Sequence, residues 1–198
     1  MSAPIRLAAV ALALAAGAAA LAACSLFLVD RVPVSDAARG ATVYDLEYTT
    51  LAGEPASLGA FEGRAVLIVN TASECGYTPQ YAGLEALHRE YGPRGLVVLG
   101  FPSNDFGGPE PGDALAIERF CSEEFGVTFP LAAKVQVKEG PAQSPVYAFL
   151  GAATGSLPGW NFGKYLIGRD GRPLAFYASN VEPGSRELRA AIEAALGS

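Results

Sequence analysis

Apolar and polar positions follow two different periods along this chain, and the period changes repeatedly from one segment to the next. Short apolar runs rich in β-branched residues are typical of buried strands, and apolar residues three or four positions apart are typical of helices. Strands are expected at residues 41–50, 65–70, 96–101, within 130–137, and at 164–168 and 173–178. Helices are expected at residues 80–91, 113–125, 144–153 and 185–196. Strands that alternate with helices and end in a hairpin and a helix predict an α/β domain, with a mixed central sheet flanked by helices.

One cysteine lies at a junction where chemistry is expected. Cys75 falls between the strand predicted at 65–70 and the next helix, where Thr78 and Pro79 fit the N-cap and the first turn. Backbone N–H groups and the helix dipole favour a thiolate at such a position, and a thiolate is a nucleophile. A free cysteine is also often a small buried hydrophobic residue. The position alone leaves both interpretations open.

The beginning of the chain is almost continuously apolar. Arg6 followed by an Ala- and Leu-rich run to residue 23 is typical of a secretory signal peptide. The run ends in Leu-Ala-Ala-Cys at Cys24, which resembles the lipobox of bacterial lipoproteins and implies cleavage before Cys24 and lipidation of this residue. Because the segment stays apolar beyond Cys24, an uncleaved membrane anchor over residues 7–29 is the alternative.

Either anchor predicts an extracytoplasmic, periplasm-facing protein held at a bacterial membrane. Residues 1–23 are then the signal peptide, and residues 24–40, with Pro33 and Ser35, are predicted to form a tether. Residues 41–198 have the length of one domain with an adequate core.

Composition and charge exclude several classes of function. The chain has 14 Lys and Arg against 20 Asp and Glu, a net charge of −6, and an acidic domain is a poor candidate for binding nucleic acid. His88 is the only histidine, and its expected place on a helix surface argues against a zinc site or a Ser-His-Asp triad. No glycine-rich phosphate loop follows a predicted strand. We therefore expect no metal and no bound cofactor.

The remaining cysteines form a single pair. With Cys24 assigned to the anchor, Cys75 and Cys121 are left in a compartment where disulfides persist. The pair is either a structural disulfide or a redox couple, and the count does not distinguish the two.

Three separated segments resemble blocks of the glutathione peroxidase family, whose members have a thioredoxin-like fold. The segments are NTASECG at residues 70–76, LGFPSNDFGGPEPG at residues 99–112 and WNFGKYL at residues 160–166. Their order and spacing match the family, and the resemblance covers about residues 41–196. It implies a thioredoxin-like domain in which Cys75 takes the position of the peroxide-attacking Sec or Cys.

The chemistry implied by this resemblance is thiol-based reduction of hydrogen peroxide or organic hydroperoxides. The Cys75 thiolate would attack the O–O bond and become a sulfenic acid, and a thiol reductant would act as co-substrate. The resemblance assigns hydrogen bonds to the sulfur and to the departing oxygen to the indole N–H of Trp160 and the amide of Asn161. Hydrogen bonds to a charged sulfur favour its ionised form. The structural alternatives are a core aromatic at Trp160 and a turn residue at Asn161.

One residue departs from the family pattern. The family has a catalytic Gln directly before Glu-Pro, where this chain has Pro109, and proline has neither a side-chain donor nor a backbone N–H. Losing one preorganised donor costs ~10²- to 10³-fold in rate at sites of this kind. Gln80 is one candidate substitute, and sufficiency of Trp160, Asn161 and backbone donors is the other possibility.

Cys121 lies in the region where thioredoxin-dependent members carry a resolving cysteine. Resolution would be attack of the Cys121 thiolate on the Cys75 sulfenic acid, which gives a disulfide. Because Cys121 is expected on the apolar side of a helix, this step would require local unwinding. A buried helix cysteine without a redox role is the alternative.

The partners follow from the same resemblance. The stretch between Lys134 and Trp160 lacks the long insertion of tetrameric animal members, which implies a monomer and favours a thioredoxin-like protein over glutathione as reductant. Pro109 supports an alternative function, a catalytically weakened redox sensor or binding module of the same fold. A thioredoxin-type oxidoreductase would need a second cysteine at the position of Thr78, which argues against that class of enzyme. A peroxiredoxin is also disfavoured, because it would need a threonine at the position of Ala72.

Overall fold

The computed structural model describes residues 31–33 and 42–197. The predicted signal peptide at 1–23, the alternative anchor at 7–29 and the lipidation site Cys24 lie outside the described residues. Within the described part, no helix is both long and apolar enough to cross a bilayer.

A five-stranded mixed sheet forms the centre of the fold. The strands are β1 (Arg31–Pro33), β2 (Glu47–Thr49), β3 (Pro55–Ser57), β4 (Ala65–Thr71), β5 (Leu96–Pro102), β6 (Lys164–Ile167) and β7 (Pro173–Tyr177). The order in the sheet is β1-β7-β6-β4-β5, in which β4 and β5 are parallel and the other neighbours are antiparallel. The short strands β2 and β3 pair with each other outside this sheet.

Four helices cover the sheet. They are α1 (Gln80–Tyr91), α2 (Ala114–Phe125), α3 (Pro145–Thr154) and α4 (Arg186–Gly197). All four predicted helices are confirmed, with bounds that differ from the expected ones by at most one residue. Local signals explain this accuracy at α2, because the Asp113 carboxylate accepts the Ala116 N–H at 2.9 Å and Gly126 ends the helix in the left-handed conformation.

The central strand β4 divides the core into two layers. All seven of its residues are buried, and alternate side chains point to opposite faces. Leu67 and Val69 pack with residues of α1, α2 and α4, whereas Val66 and Ile68 pack with residues of α3. Burial on both faces explains the continuous apolar run in the sequence.

Two predicted strands differ from the structure. Only residues 47–49 of the stretch 41–50 form a strand, because the preceding residues turn, with the Leu46 N–H donating to the Val43 carbonyl at 3.0 Å. The stretch 130–137 forms isolated bridges instead of a strand. There the Ala132 N–H donates to the Gly100 carbonyl on one side, whereas the Ala133 N–H donates to the Thr49 carbonyl on the other side. No continuous ladder of hydrogen bonds to a single neighbouring strand therefore develops.

The predicted tether contains a strand that the sequence pattern did not indicate. β1 pairs antiparallel with β7 at the edge of the sheet, with Arg31 opposite Tyr177 and Pro33 opposite Ala175. A proline is tolerated there because an edge strand leaves one row of its N–H groups unpaired.

Candidate active site

The loop after β4 presents Cys75 in a fixed conformation. The Thr78 hydroxyl accepts the Cys75 N–H at 3.0 Å and donates to the Ala72 carbonyl at 2.9 Å, while the Glu74 N–H donates to the Pro109 carbonyl at 2.8 Å. The predicted N-cap role of Thr78 is therefore wrong. Pro79 occupies the cap position of α1 without a side-chain bond, and the Thr78 hydroxyl stabilises the cysteine loop instead.

The sulfur of Cys75 is half-buried and faces a hydrogen-bond donor. The Tyr77 N–H donates to Sγ at 3.5 Å, and α1 begins only a few residues later, at Gln80. A backbone N–H directed at the sulfur and a nearby helix N-terminus both place partial positive charge close to the nucleophile. The predicted nucleophile thus lies in an environment that suits its reaction.

Asn70 connects the strand that leads to Cys75 with the turn that carries Trp160 and Asn161. Its side-chain amide donates to the Trp160 carbonyl at 3.1 Å, and its side-chain oxygen accepts the Gly163 N–H at 2.9 Å. Its backbone carbonyl also accepts the Phe162 N–H at 2.6 Å. Asn70 is the first residue of the family-like segment 70–76, but the sequence pattern predicts no role for it. A buried polar residue at the end of an otherwise apolar strand is the signal that marks it.

The turn that carries Trp160 and Asn161 has a strained backbone, which contacts from neighbouring side chains stabilise. Phe162 has φ of 65°, a left-handed conformation that is uncommon for a bulky residue, and its ring packs edge-on against Tyr81 at 5.3 Å. The Lys164 ammonium group donates to the Phe162 carbonyl at 2.7 Å. Burial lowers the pKa of Lys164 to about 7, against the opposing effect of the Glu182 carboxylate.

Trp160 and Asn161, the two residues predicted to donate hydrogen bonds in the reaction, differ in their surroundings. Asn161 is fully buried, and neither polar atom of its side chain has a hydrogen-bond partner among the described residues. An unsatisfied buried polar group costs about 1–3 kcal/mol, so an amide retained in this state is well suited to bind an atom of the substrate. Trp160 is half-exposed, and its ring packs against Phe106 with centroids 5.7 Å apart.

A shallow groove runs beside the cysteine loop. It has a volume of about 470 Å³ and is lined by Tyr77, Trp160, Phe176 and the residues that follow β7, among them Ser179. Tyr77, which lines this groove, is also the residue whose N–H donates to the Cys75 sulfur, so the groove lies next to the cysteine loop.

The departure at Pro109 is visible in the structure. Pro109 is buried next to the cysteine loop and contributes only its carbonyl, which accepts the Glu74 N–H. The amide of Gln80, the suggested substitute, donates to the Ser179 carbonyl at 2.7 Å and approaches Glu182. Its donor group is therefore already occupied.

Cys121 lies in the hydrophobic core of the domain. It is 1 % exposed, and neither it nor Cys75 is in a disulfide. Burial raises the pKa of the Cys121 thiol to about 11; the Glu110 charge adds to this rise, and the Tyr81 hydroxyl opposes it. Cys121 is thus a neutral thiol at physiological pH. Among the residues that the structure describes, no group of three or more His, Cys, Asp or Glu side chains could hold a metal ion.

Comparison with known proteins gives consistent matches. The family model described as glutathione peroxidase matches residues 43–151. A glutathione peroxidase-like peroxiredoxin of Chlamydomonas reinhardtii is 49% identical over 146 residues, which cover 72% of this chain and 90% of the relative. A hydroperoxy fatty acid reductase of Synechocystis is 45% identical over 162 residues, which cover 77% of this chain and 94% of the relative.

A solved structure shares the architecture. The crystal structure of Trgpx in its apo form superposes with a TM-score of 0.63 at 35% sequence identity, over 80% of this chain and 97% of that one.

Proposed function

Because the chain belongs to the glutathione peroxidase family, it is a thiol-based peroxidase with a thioredoxin-like fold, and we propose that Cys75 is its peroxide-attacking residue. The observation that carries this assignment is the connection through Asn70. This residue joins the strand before Cys75 to the turn of Trp160 and Asn161, so that the first and third of the family-like segments meet at one place. The Glu74–Pro109 hydrogen bond adds the second segment.

The first step is a displacement on the peroxide. The Cys75 thiolate attacks one oxygen, the O–O bond breaks, and the sulfur becomes a sulfenic acid. The other oxygen departs as an alkoxide or hydroxide, which takes up a proton and leaves as an alcohol or water. The Tyr77 N–H stabilises the thiolate, and the Asn161 amide and the Trp160 indole donate to the departing oxygen.

The second step regenerates the thiol. The Cys121 thiolate attacks the sulfenic sulfur and releases water, which leaves a Cys75–Cys121 disulfide. A thioredoxin-like dithiol then reduces this disulfide, and no cofactor takes part. Because Cys121 is a buried thiol in α2, its reaction requires part of this helix to open first.

The protein is anchored outside the cytoplasm and acts as a monomer. The N-terminal apolar run and the lipobox-like Cys24 support a bacterial lipoprotein in the periplasm, with a spanning segment over residues 7–29 as the alternative anchor. The name of the Synechocystis relative, a hydroperoxy fatty acid reductase, supports organic hydroperoxides as substrates besides hydrogen peroxide.

Cysteine variants test the assignment. We expect Cys75→Ser to abolish peroxide consumption, and Cys121→Ser to keep the first oxidation but to accumulate a sulfenic acid that dimedone traps. Mass spectrometry after one equivalent of peroxide should show a Cys75–Cys121 disulfide in the natural chain. Rapid turnover by Cys75→Ser would disprove the proposal.

Pro109 favours a second candidate function, a redox sensor with weakened turnover. A sensor would be oxidised once and reduced slowly. The missing amide donor beside the sulfur would slow its reaction with peroxide, which is consistent with a function that does not need rapid turnover. Steady-state assays with a thioredoxin system separate the two functions. Many turnovers per enzyme support the peroxidase, and a single oxidation followed by slow recovery supports the sensor.

A further inference from the structure

We propose that the membrane anchor leaves the domain at the same end of the sheet as Cys75, so that the active-site end faces the lipid bilayer. This inference rests on the proposed anchor and on Cys75 as the reacting residue. It concerns the orientation of the domain, which the anchor by itself does not determine.

The strand directions place the start of β1 at the same end of the sheet as the active site. β4 runs toward the cysteine loop, and β6, which is antiparallel to it, starts directly after the turn of Trp160 and Asn161. β7 is antiparallel to β6 and therefore ends at the same edge, at Tyr177. β1 is antiparallel to β7 and begins opposite Tyr177, at Arg31.

The entry point of the tether is close to the groove. The residues that follow Tyr177 are Ala178, Ser179 and Asn180, and all three line the groove together with Trp160. Paired strands lie about 4.8 Å apart, so the backbone of Arg31 lies next to the wall of the groove.

The part of the predicted tether that precedes β1 is too short to reverse this orientation. Seven residue steps separate Cys24 from Arg31, and a fully extended chain spans at most about 25 Å over this distance. A domain of this size is roughly 40 Å across. A lipid on Cys24 cannot reach around the domain to hold its far end against the membrane, and a spanning segment over residues 7–29 leaves still less chain.

The active-site end also carries exposed apolar side chains. Trp160 is 48 % exposed and Leu115, in the first turn of α2, is 54 % exposed. The start of α2 lies at this end, since its other end, at Gly126, accepts a hydrogen bond from Arg89 near the end of α1. A half-exposed tryptophan, with an apolar body and one N–H, is typical of the membrane interface.

Electrostatic attraction to the membrane is not what holds the active-site end at the bilayer. The exposed acidic residues at this end include Glu74, Asp113 and Glu182, and Lys134 and Lys138 are the basic residues near them. The net charge of −6 also opposes general attraction to anionic lipids. The anchor therefore holds the domain, and we expect high salt to leave the contact unchanged.

The intrinsic fluorescence of the protein tests this orientation directly. Trp160 is the only tryptophan of the chain. The full chain, purified from membranes, is reconstituted in phosphatidylcholine vesicles whose acyl chains are brominated close to the headgroup. We expect these lipids to quench most of the Trp160 emission relative to vesicles without bromine, at low and at high salt.

A matched variant moves the probe to the other end. Arg172 is exposed in the turn between β6 and β7, opposite to the active-site end. In the double variant Trp160→Phe/Arg172→Trp, we expect the brominated lipids to leave the emission nearly unchanged. A second variant inserts about 30 Gly and Ser residues between Val29 and Asp30, a spacer with a span of roughly 30 Å, and should lose the quenching of Trp160.

The outcomes separate this inference from the proposed function. Absent quenching of Trp160 in the membrane-bound chain, or equal quenching at both probe positions, overturns the orientation. Recovery of the chain in the soluble fraction overturns the anchor as well. Neither result bears on peroxide reduction by Cys75, because the fluorescence measurement involves no turnover.

Discussion

Asn70 acts on the site without touching the sulfur in the resting structure, and its effect is one of position. It binds the turn of Trp160 and Phe162 through its amide group and its backbone carbonyl. The strained φ of Phe162 shows that the turn would not hold this shape alone.

We expect Asn70→Ala to lower the second-order rate constant with peroxide about 100-fold, because a displacement of about 1 Å has an effect of this size. The loss of two buried hydrogen bonds should also lower the free energy of unfolding by about 2 kcal/mol. Thr154→Val, which removes a buried hydrogen bond at the end of α3, is the control for destabilisation alone. An Asn70→Ala variant that reacts with peroxide at the normal rate would contradict the positioning role.

The lowered pKa of Lys164 predicts an unusual dependence of the free energy of unfolding on pH. The pKa of this side chain is lowered to about 7 in the folded chain, mainly by burial, from the value of 10.5 that an unfolded lysine has. Between these values the unfolded state binds more protons, so the contribution of Lys164 to stability rises with pH. Below about pH 7 the buried charge destabilises the fold fully.

Replacement of Lys164 by methionine isolates this effect. The free energy of unfolding of Lys164→Met, minus that of the natural chain, should be larger at pH 6 than at pH 9 by on the order of 2 kcal/mol. Urea unfolding at both pH values measures it, and groups shared by the two chains cancel in the difference. A difference that does not change with pH would show that Lys164 keeps an ordinary pKa.

We propose that Pro109 limits the rate of the peroxide reaction, and one substitution should remove this limit. Pro109→Gln restores a side-chain amide beside the cysteine loop and keeps the carbonyl that binds Glu74. We expect the rate constant with peroxide to rise about tenfold or more. Pro109→Leu, which changes the backbone in the same way without an amide, should not raise it. Equal rates for the two variants would mean that Asn161, Trp160 and the backbone donors already suffice.

At the level of elements, α2 would determine how the proposed catalytic cycle closes, because it carries Cys121. Cys121 is held in this helix as a neutral thiol with a pKa of about 11. Local opening of α2 would both bring its sulfur toward Cys75 and expose it to water, where a thiol titrates near ~8.5.

The pH dependence of disulfide formation tests this opening. After a single addition of peroxide, we expect the rate of Cys75–Cys121 disulfide formation to rise with pH and to level off above about pH 9, because the opened helix carries an ordinary cysteine. Quenched-flow alkylation with mass spectrometry follows the reaction. A rate that continues to rise tenfold per pH unit beyond pH 10 would show that the buried thiol reacts without opening of the helix.

The elements also differ in how well the pattern predicts them. The helices end where residues such as Asp113 and Gly126 satisfy their own terminal groups, and these signals are local. The stretch 130–137 does not form the predicted strand because its partners, Thr49 and Gly100, lie on opposite sides and are distant in sequence. β1 is missed for the same reason, since three residues pair only with the distant strand β7.

At the level of the whole molecule, the proposed orientation has opposite effects on the access of lipid hydroperoxides and on the access of a protein reductant. A site that faces the bilayer is open to lipid hydroperoxides, but a protein reductant must approach the same end. Lengthening the tether should therefore change the two half-reactions in opposite directions.

We expect the chain with the Gly/Ser spacer to reduce vesicle-bound phospholipid hydroperoxides more slowly than the natural chain. Reduction of its disulfide by a soluble thioredoxin should be faster, and the reaction with hydrogen peroxide unchanged, since a small solute reaches the site in either case. Stopped-flow assays of each half-reaction in vesicles measure these rates. Equal rates for both chains with the phospholipid substrate would show that the distance from the membrane has no effect on catalysis.

The sequence by itself determined the fold class, the four helices, the acidic balance and the place of Cys75 after a buried strand, because each depends on local pattern or on composition. It also marked Trp160 and Asn161 by their resemblance to a family. Only the tertiary structure decided that Asn70 holds these residues to β4, that Thr78 stabilises the cysteine loop and that Lys164 supports the turn. The direction in which the proposed anchor leaves likewise depends on the pairing of β1 with β7. The bonds of Asn70 and the pairing of β1 join residues far apart in the chain, whereas the bonds of Thr78 and Lys164 are local side-chain contacts. Neither kind of contact leaves a periodic signal in the sequence.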